Sequence, residues 1–463
     1  MHELATFPFV RALQARGARI YLVGGTVRDA LLGLARKDLD LLVTGVPQRQ
    51  LMRLLRPYGR VQLTGRAFGV IKFLPQGWEG PPIDIALPRT EVSTGVGHRD
   101  FVVTFDHTLP VETDLQRRDF TINAMALELP SGRLIDPFGG QQDLARRLLR
   151  QVSPRAFPED PLRILRGVQL AARFALQVDP ETQQAMQACA ALITTVAPER
   201  IAEELRKLFQ APQPSRGFAL MQEVGLLGHI LPELARLAEL PEATGASSLF
   251  ARTLRRLDAV QGSPLLEHRG ELDLLLAALF YDSGRAEAPP AAPAAEVAAR
   301  SARLARQRLE ALKMTTIGVQ PKRVEALIAA SAFDPVALAS DAALRHFASR
   351  LGAEMALRVL ELRLADSLGN GPPEAQTPFL HLRQRLHAQL ARQVPLGLPQ
   401  LAVNGHDLQR LGIPPGPRLG RILNALLHHV LDNPACNTRD HLLALADEIA
   451  RGGASAPACC PPS

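Results

Sequence analysis

The segment "GGTVRDALLGLARKDLDLLV", residues 24–43, places two glycines, an Arg-Asp pair and a D-x-D motif just ahead of an apolar run. The β-rich run "RIYLV" closes on Gly24 and Gly25, a strand end where backbone can approach a ligand's phosphates. The next residues read as a short helix whose N-terminal amides face an anion, with Arg28 in its first turns as a cation for a triphosphate. "DLDLLV" reads as the following strand. Alternate residues of a strand share a face, so Asp38 and Asp40 point the same way. Two neighbouring carboxylates suit Mg²⁺, a hard ion that keeps waters and also takes substrate phosphates. Such ions activate an attacking hydroxyl and stabilise a leaving pyrophosphate. A lone D-x-D is usually a solvated turn; the order G-G-x-x-R-D, then D-x-D heading a strand, is the specific signal.

The chain has 463 residues, enough for about two to four domains. Lys and Arg exceed Asp and Glu by 53 − 46 = 7 and the pI is about 9.7, a weak pointer to a polyanionic partner. No uninterrupted apolar run reaches bilayer length, and the opening residues lack the basic head, apolar middle and cleavage site of a signal peptide. The four cysteines, Cys189, Cys436, Cys459 and Cys460, show no zinc or disulfide spacing. The expectation is a cytoplasmic protein with incidental thiols, no membrane association and no obligate protein partner.

Strand signals concentrate in the first ~140 residues, at 19–25, 38–45, 68–75, 82–88 and 124–130, interleaved with helical patterns. After Asp143 the chain turns to Leu/Ala/Arg segments with apolar residues at three- and four-residue spacing. The fold class is therefore α+β, a mixed-sheet head followed by helical domains. "GRAEAPPAAPAAEVAAR" (284–300) reads as a loop or linker, and "GNGPPEAQTP" (369–378) as a second soft boundary.

With these motifs in order, the chain resembles the class II tRNA nucleotidyltransferases, the CCA-adding enzymes of the DNA polymerase β-like superfamily. "LVGGTVRDALLG" with "DLD" resembles the family's metal and triphosphate motif, "RRDFTINAMAL" (117–127) its ribose motif, and "DPFGGQQDL" (136–144) its connector to the neck. "EDPLRILRGVQLAARF" (159–174) is similar to the nucleotide-selecting motif, and "PERIAEELRKLF" (198–209) to the helix that supports it. The resemblance implies catalytic carboxylates at Asp38 and Asp40, which hold Mg²⁺, and triphosphate binding near Gly24, Gly25 and Arg28. Asp119 and Asn123 would hold ribose hydroxyls, with Arg117 and Arg118 toward the triphosphate or the base. Asp84 is either a third catalytic acid or a structural group.

The segment around residue 160 has its own logic. Asp160 and Pro161 form an N-cap and first-turn pair, so a helix starts there with Arg163 on the same face. A carboxylate accepts hydrogen bonds and a guanidinium donates them. Cytosine and adenine pair an exocyclic amino donor with a ring-nitrogen acceptor; uracil and guanine present the reverse. A fixed Asp160 and Arg163 therefore match C and A, and buried groups left unpaired reject the wrong base. The other reading is an ordinary capped helix with an internal ion pair. The resemblance assigns the pair to base recognition, with Glu159 holding Arg163; the same motif carries Arg166.

The segment 88–104 resembles the flexible loop needed for the switch from CTP to ATP, which argues against a CC-only enzyme. An enzyme adding only the terminal A stays open, as does a bacterial poly(A) polymerase, although the neutral, proline-rich tail disfavours the latter. A non-catalytic RNA-binding paralogue is the opposing class. "LLLAALFYDSGR" (274–285) resembles a His-Asp phosphohydrolase stretch in which Tyr281 replaces the metal-binding His beside Asp282, so no such activity is expected. His406, His428 and His429 read as turn and helix residues, and Arg303, Arg306 and Arg308 as solvated or phosphate-facing. The expected layout is a catalytic head over 1–143, a neck over 144–210, a helical body over 211–370, a tRNA-binding tail over 371–450 and a disordered end over 451–463. The partners implied are tRNA, CTP and ATP.

Overall fold

The computed structural model describes residues 7–34, 39–64, 69–93, 101–242 and 247–452, with backbone alone at 91–93 and 101–103. Asp38, the tip 94–100 and the end 453–463 lie outside the described residues. The chain divides into two compact units, Met1–Pro232 and Glu233–Ser463.

The first unit is built on a seven-stranded sheet. Its strands are β1 (Arg19–Val23), β2 (Asp40–Thr44), β3 (Gly59–Thr64), β4 (Val70–Pro75), β5 (Ile83–Ala86), β8 (Ala126–Leu129) and β9 (Leu134–Ile135), in the order β3-β4-β5-β2-β1-β8-β9. Strands β2 and β5 run parallel and every other neighbouring pair is antiparallel. One face carries Ile20, Leu22, Leu41, Val43, Ile71, Phe73, Ile83 and Ile85, all buried. Helices α1 (Pro8–Gln14) and α3 (Gln48–Leu55) supply buried partners to this face; the Phe9 ring meets Phe73 edge-on at 5.0 Å. On the other face Tyr21, Val23, Leu42 and Ala126 pack with Val111 and Leu115 of α4 (Val111–Gln116). The strand period of two places Asp40 and Asp84 on this second face.

Between β1 and β2 lies α2 (Gly25–Leu31), entered through Gly24 at φ +69°, a left-handed conformation that glycine adopts without a Cβ clash. After β9 come α5 (Gly140–Ala145), α6 (Leu162–Phe174) and α7 (Pro198–Phe209). A Cβ on Gly140 would lie 2.1 Å from the carbonyl oxygen of Thr121, which locks α5 against the 121–123 turn.

Several expectations are corrected. Strand β3 was absent from the strand signals, because "GRVQLT" carries polar residues on an exposed edge strand. The stems of the expected loop are paired: β6 (Arg89–Ser93) runs antiparallel to β7 (Phe101–Phe105), as their Thr and Val content favours. Helix α6 begins at Leu162 with Pro161 in the cap position; Asp160 still caps, its carboxylate accepting from the Leu162 N–H at 3.3 Å.

The second unit is helical and includes α8 (Leu249–Gly262), α9 (Leu272–Phe280), α10 (Ala294–Ala311), α11 (Ala353–Asn370), α12 (Pro417–Asp432) and α13 (Arg439–Ala450). The stretch 284–300 is not a linker. From Ala294 onward it is α10, and Gly284 packs so tightly on that helix that a Cβ would meet Val297 O and Ser301 N at 2.7 Å. The 369–378 stretch is likewise fastened: Arg255 of α8 donates to Gly369 O and Asn370 Oδ1. Asp282 lies 2.5 Å from the guanidinium of fully buried Arg256, which also donates to Asp366 and stacks under the Tyr281 ring at 4.2 Å. Arg306 pairs with Glu310 and Glu325 at the surface, and Arg308 with Glu233.

Replacing Gly140 by valine forces a side chain against the Thr121 carbonyl. We expect a loss of about 1–3 kcal/mol in urea unfolding; an unchanged midpoint would contradict the close packing of α5 on that turn.

Candidate active site

Asp40 and Asp84 are register partners on the parallel strands β2 and β5, and Asp84 is opposite Lys72 on β4. Three adjacent strands thus present Asp40, Asp84 and Lys72 in one row. The Lys72 ammonium donates to Asp84 at 2.8 Å, with both side chains about two-fifths exposed (44% and 39%). A pair so exposed contributes only about 0–1 kcal/mol, so it can open for a ligand. Thr26 of α2 accepts from the Asp40 N–H at 3.3 Å, tying the start of the helix to the start of β2. Among described residues, Asp40 and Asp84 bring the carboxylates together; Asp38 lies outside them.

The guanidinium of Arg118 abuts Gly24, where a Cβ would lie 2.7 Å from NH1. Arg117 and Arg118 both bind the fully buried Asp114, at 2.5 and 3.0 Å. Burial alone would raise the Asp114 carboxyl, but Arg118 and Arg117 hold it below its ordinary value of 3.8. Asp114 was not singled out from the sequence, although its i,i+3 and i,i+4 spacing to two arginines was a legible signal.

Arg28 is turned inward. Its Nε and NH2 donate to Asp29, its NH1 to Asn123 at 2.8 Å, and its guanidinium lies 4.4 Å from the Phe174 ring. It therefore positions Asn123 rather than extending into solvent. Asn123 donates to Asp119 at 3.0 Å, and Asp119 accepts from the Phe120 N–H and from Arg166 at 3.2 Å. Arg166 continues to the buried Glu204 of α7 at 3.5 Å, and Lys207 closes the chain on Glu204 at 2.9 Å. Asp119 is fully enclosed: burial opposes its charge, but Arg166, Asn123, Arg163 and the Phe120 amide keep its carboxyl below the ordinary range. Burial would lower Arg166, yet Asp119 and Glu204 outweigh it and raise the guanidinium.

The Arg163 N–H donates to the Asp160 carbonyl at 2.9 Å, and each side chain has further partners. Asp160 accepts from Arg200 of α7 at 3.0 Å, whereas Arg163 donates to the carbonyls of Ala156 (3.1 Å) and Arg117 (2.8 Å), with Glu159 at 3.6 Å. Arg200 and Glu204 were missed as individual residues, since their partners are far away in sequence. Arg118 Nε, Arg200 NH1 and Glu204 Oε2 are buried and find no hydrogen-bond partner among the described residues. Each such atom costs about 1–3 kcal/mol when left unpaired.

Comparison with known proteins fits this geometry. Residues 20–150 match the poly A polymerase head domain, 175–237 the RNA and SrmB-binding site of polymerase A, and 306–446 the tRNA nucleotidyltransferase domain 2. The multifunctional CCA protein of Nitrosococcus oceani is 40% identical over 273 residues, 58% of this chain and 64% of that protein. That of Stenotrophomonas maltophilia is 43% identical over 229 residues, 48% of this chain and 54% of that protein. The chain thus spans less than two thirds of the length of these relatives. The solved CCA-adding enzyme of Bacillus stearothermophilus in complex with CTP superposes with a TM-score of 0.69 at 24% identity, covering 97% of this chain and 98% of that one. The Thermotoga maritima CCA-adding enzyme complexed with tRNA gives 0.60 at 21%, covering 96% and 95%. These likenesses establish the fold: a mixed-sheet head followed by helical domains. No helix among the described residues is long and apolar enough to cross a membrane.

The depressed carboxyls of Asp114 and Asp119 set a pH dependence. Their stabilisation is complete above the unfolded value near 3.8 and is lost as pH falls through their lower folded values. Asp114→Asn should cost about 3–5 kcal/mol at neutral pH and much less in strong acid, flattening the acid limb of urea-measured stability. An equal loss at every pH would contradict the charged pairing.

Proposed function

We propose that the protein adds CCA to the 3′ end of tRNA from CTP and ATP, releasing pyrophosphate, without a nucleic-acid template. The observation that carries this reading is the fastening of the base-selecting helix to the ribose motif. Arg163 of α6 donates to the Arg117 carbonyl, and Arg166, one turn later, to Asp119. Base-reading groups so attached face a nucleotide seated on the sheet at a fixed separation, as selection by protein alone requires. The relatives named multifunctional CCA protein support the same reading.

The carboxylate row fits Mg²⁺, because its donors are hard oxygens on an open sheet face. Asp40, with Asp38 beside it in sequence, would hold the ion, and Asp84 lies next to Asp40 as a further acid. When bound, Mg²⁺ supplies charge neutralisation for the triphosphate and acidifies the attacking hydroxyl. The chain's own groups do the rest. The backbone at Gly24 and Gly25, with Arg118 against it, receives the triphosphate. Asn123, set by Arg28 and Asp119, faces the ribose. Asp160 accepts from the exocyclic amine of C or A and Arg163 donates to the ring nitrogen, with Glu159 steadying Arg163 and Arg200 steadying Asp160. The tRNA 3′-oxygen then forms its bond to the α-phosphorus as the α–β bridging bond breaks and pyrophosphate leaves. The proton of that hydroxyl passes to Asp84 or to water.

Single-turnover extension of a tRNA ending in CC tests this. Asp40→Asn should slow ATP addition by roughly a thousandfold while tRNA binding persists; a rate within a few-fold of the parent would remove the carboxylate assignment. Asp160→Ala and Arg163→Ala should each raise UTP or GTP use relative to CTP and ATP by about tenfold or more. Unchanged preference in both variants would remove the base-edge assignment.

A further inference from the structure

The end of the second unit holds a cluster that the spacing of cysteines did not reveal. His429, in the last turn of α12, and His441, in the first turn of α13, stack at 5.3 Å with their rings 21° apart and Nε2 to Nε2 at 3.1 Å. Cys436, buried in the 3₁₀ turn Pro434–Cys436 between the two helices, completes a set whose ligand atoms all lie within 4.8 Å of one another. We propose that His429, Cys436 and His441 form a structural zinc site that clasps α12 to α13.

The geometry and the donor chemistry argue for it. Two imidazole nitrogens each ~2.0 Å from a tetrahedral zinc are about 3.3 Å apart, close to the separation seen. Two like nitrogens held face to face share at most one proton, and an ion accepts both lone pairs instead. Imidazole with thiolate selects zinc over the hard ions suited to the Asp40 row. The pattern H-x6-C-x4-H keeps all three ligands within one helix–turn–helix, so the ion closes a short loop. The other cluster of metal-capable groups, Glu267, His268 and Glu361, differs: Glu361 already accepts from the amides of Glu267 and His268 and lies 3.0 Å from the His268 ring.

The test uses the full chain carrying Cys459→Ser and Cys460→Ser, freed of metal and titrated with cobalt(II). One equivalent should produce a thiolate-to-cobalt charge-transfer band and intense visible bands of a tetrahedral ion, displaced by one equivalent of zinc. Zinc should also raise the unfolding midpoint of this parent. Cys436→Ser and His441→Gln should each abolish the band, and zinc should no longer shift the midpoint. Should burial of Cys436 leave its serine variant unfolded, His441→Gln, whose side chain is half-buried, decides alone. Absence of the charge-transfer band in the parent, or its persistence in His441→Gln, overturns the site. Cobalt bound only at the carboxylate row gives no thiolate band and counts as absence.

Discussion

The first unit depends on a largely enclosed relay of charged groups and one amide running from Asp29 through Arg28, Asn123, Asp119 and Arg166 to Glu204. Each link lies between 2.6 and 3.5 Å. A buried charge without its partner is far more costly than the pair is favourable, so these groups hold or fail together. The relay starts in the helix after the first strand, crosses the turn that follows α4, and ends on α6 and α7. Elements distant in sequence are thereby fixed around one space. Such a frame suits an enzyme that chooses a base with its own side chains, since hydrogen-bond selection works only where donors and acceptors cannot readjust.

Around that frame the sheet does simpler work. Parallel pairing of β2 and β5 in register sets Asp40 beside Asp84 on the face that α4 leaves open at the strand ends. Glycine at the end of β1 lets Arg118 come within reach of the backbone, where any Cβ would intrude. Among the buried polar atoms without a hydrogen-bond partner, those on Arg118, Arg200 and Glu204 belong to groups of this frame.

Much of this was legible. Apolar runs ended by Gly or Pro marked β1, β2, β4, β5 and β8, and the D-x-D spacing placed Asp40 at a strand head. The order of motifs pointed to the polymerase β-like head. What escaped was of two kinds. Edge strand β3 has only Val61 and Leu63 on its apolar face, too short a signal among polar residues, and the Pro/Ala-rich 284–300 stretch hid the start of a helix that buries Val297, Ala298 and Ala302. The other kind is long-range partnership. Nothing local tells that the Asp160 carboxylate will meet Arg200, or that Arg256 will neutralise both Asp282 and Asp366. His429, Cys436 and His441 converge because a 3₁₀ turn folds α13 back onto α12, and spacing alone does not encode that turn.

The central claim is ordered addition of C, C and A governed by the protein's own base-reading groups. Its most direct measurement is extension of three tRNA transcripts, ending before CCA, after C and after CC, each with one labelled nucleotide and Mg²⁺. The account predicts CTP incorporation on the first two and a single ATP on the third, with UTP and GTP refused throughout. ATP incorporation on the CC end alone, long A tails, or no incorporation by a chain that still binds tRNA would each contradict it.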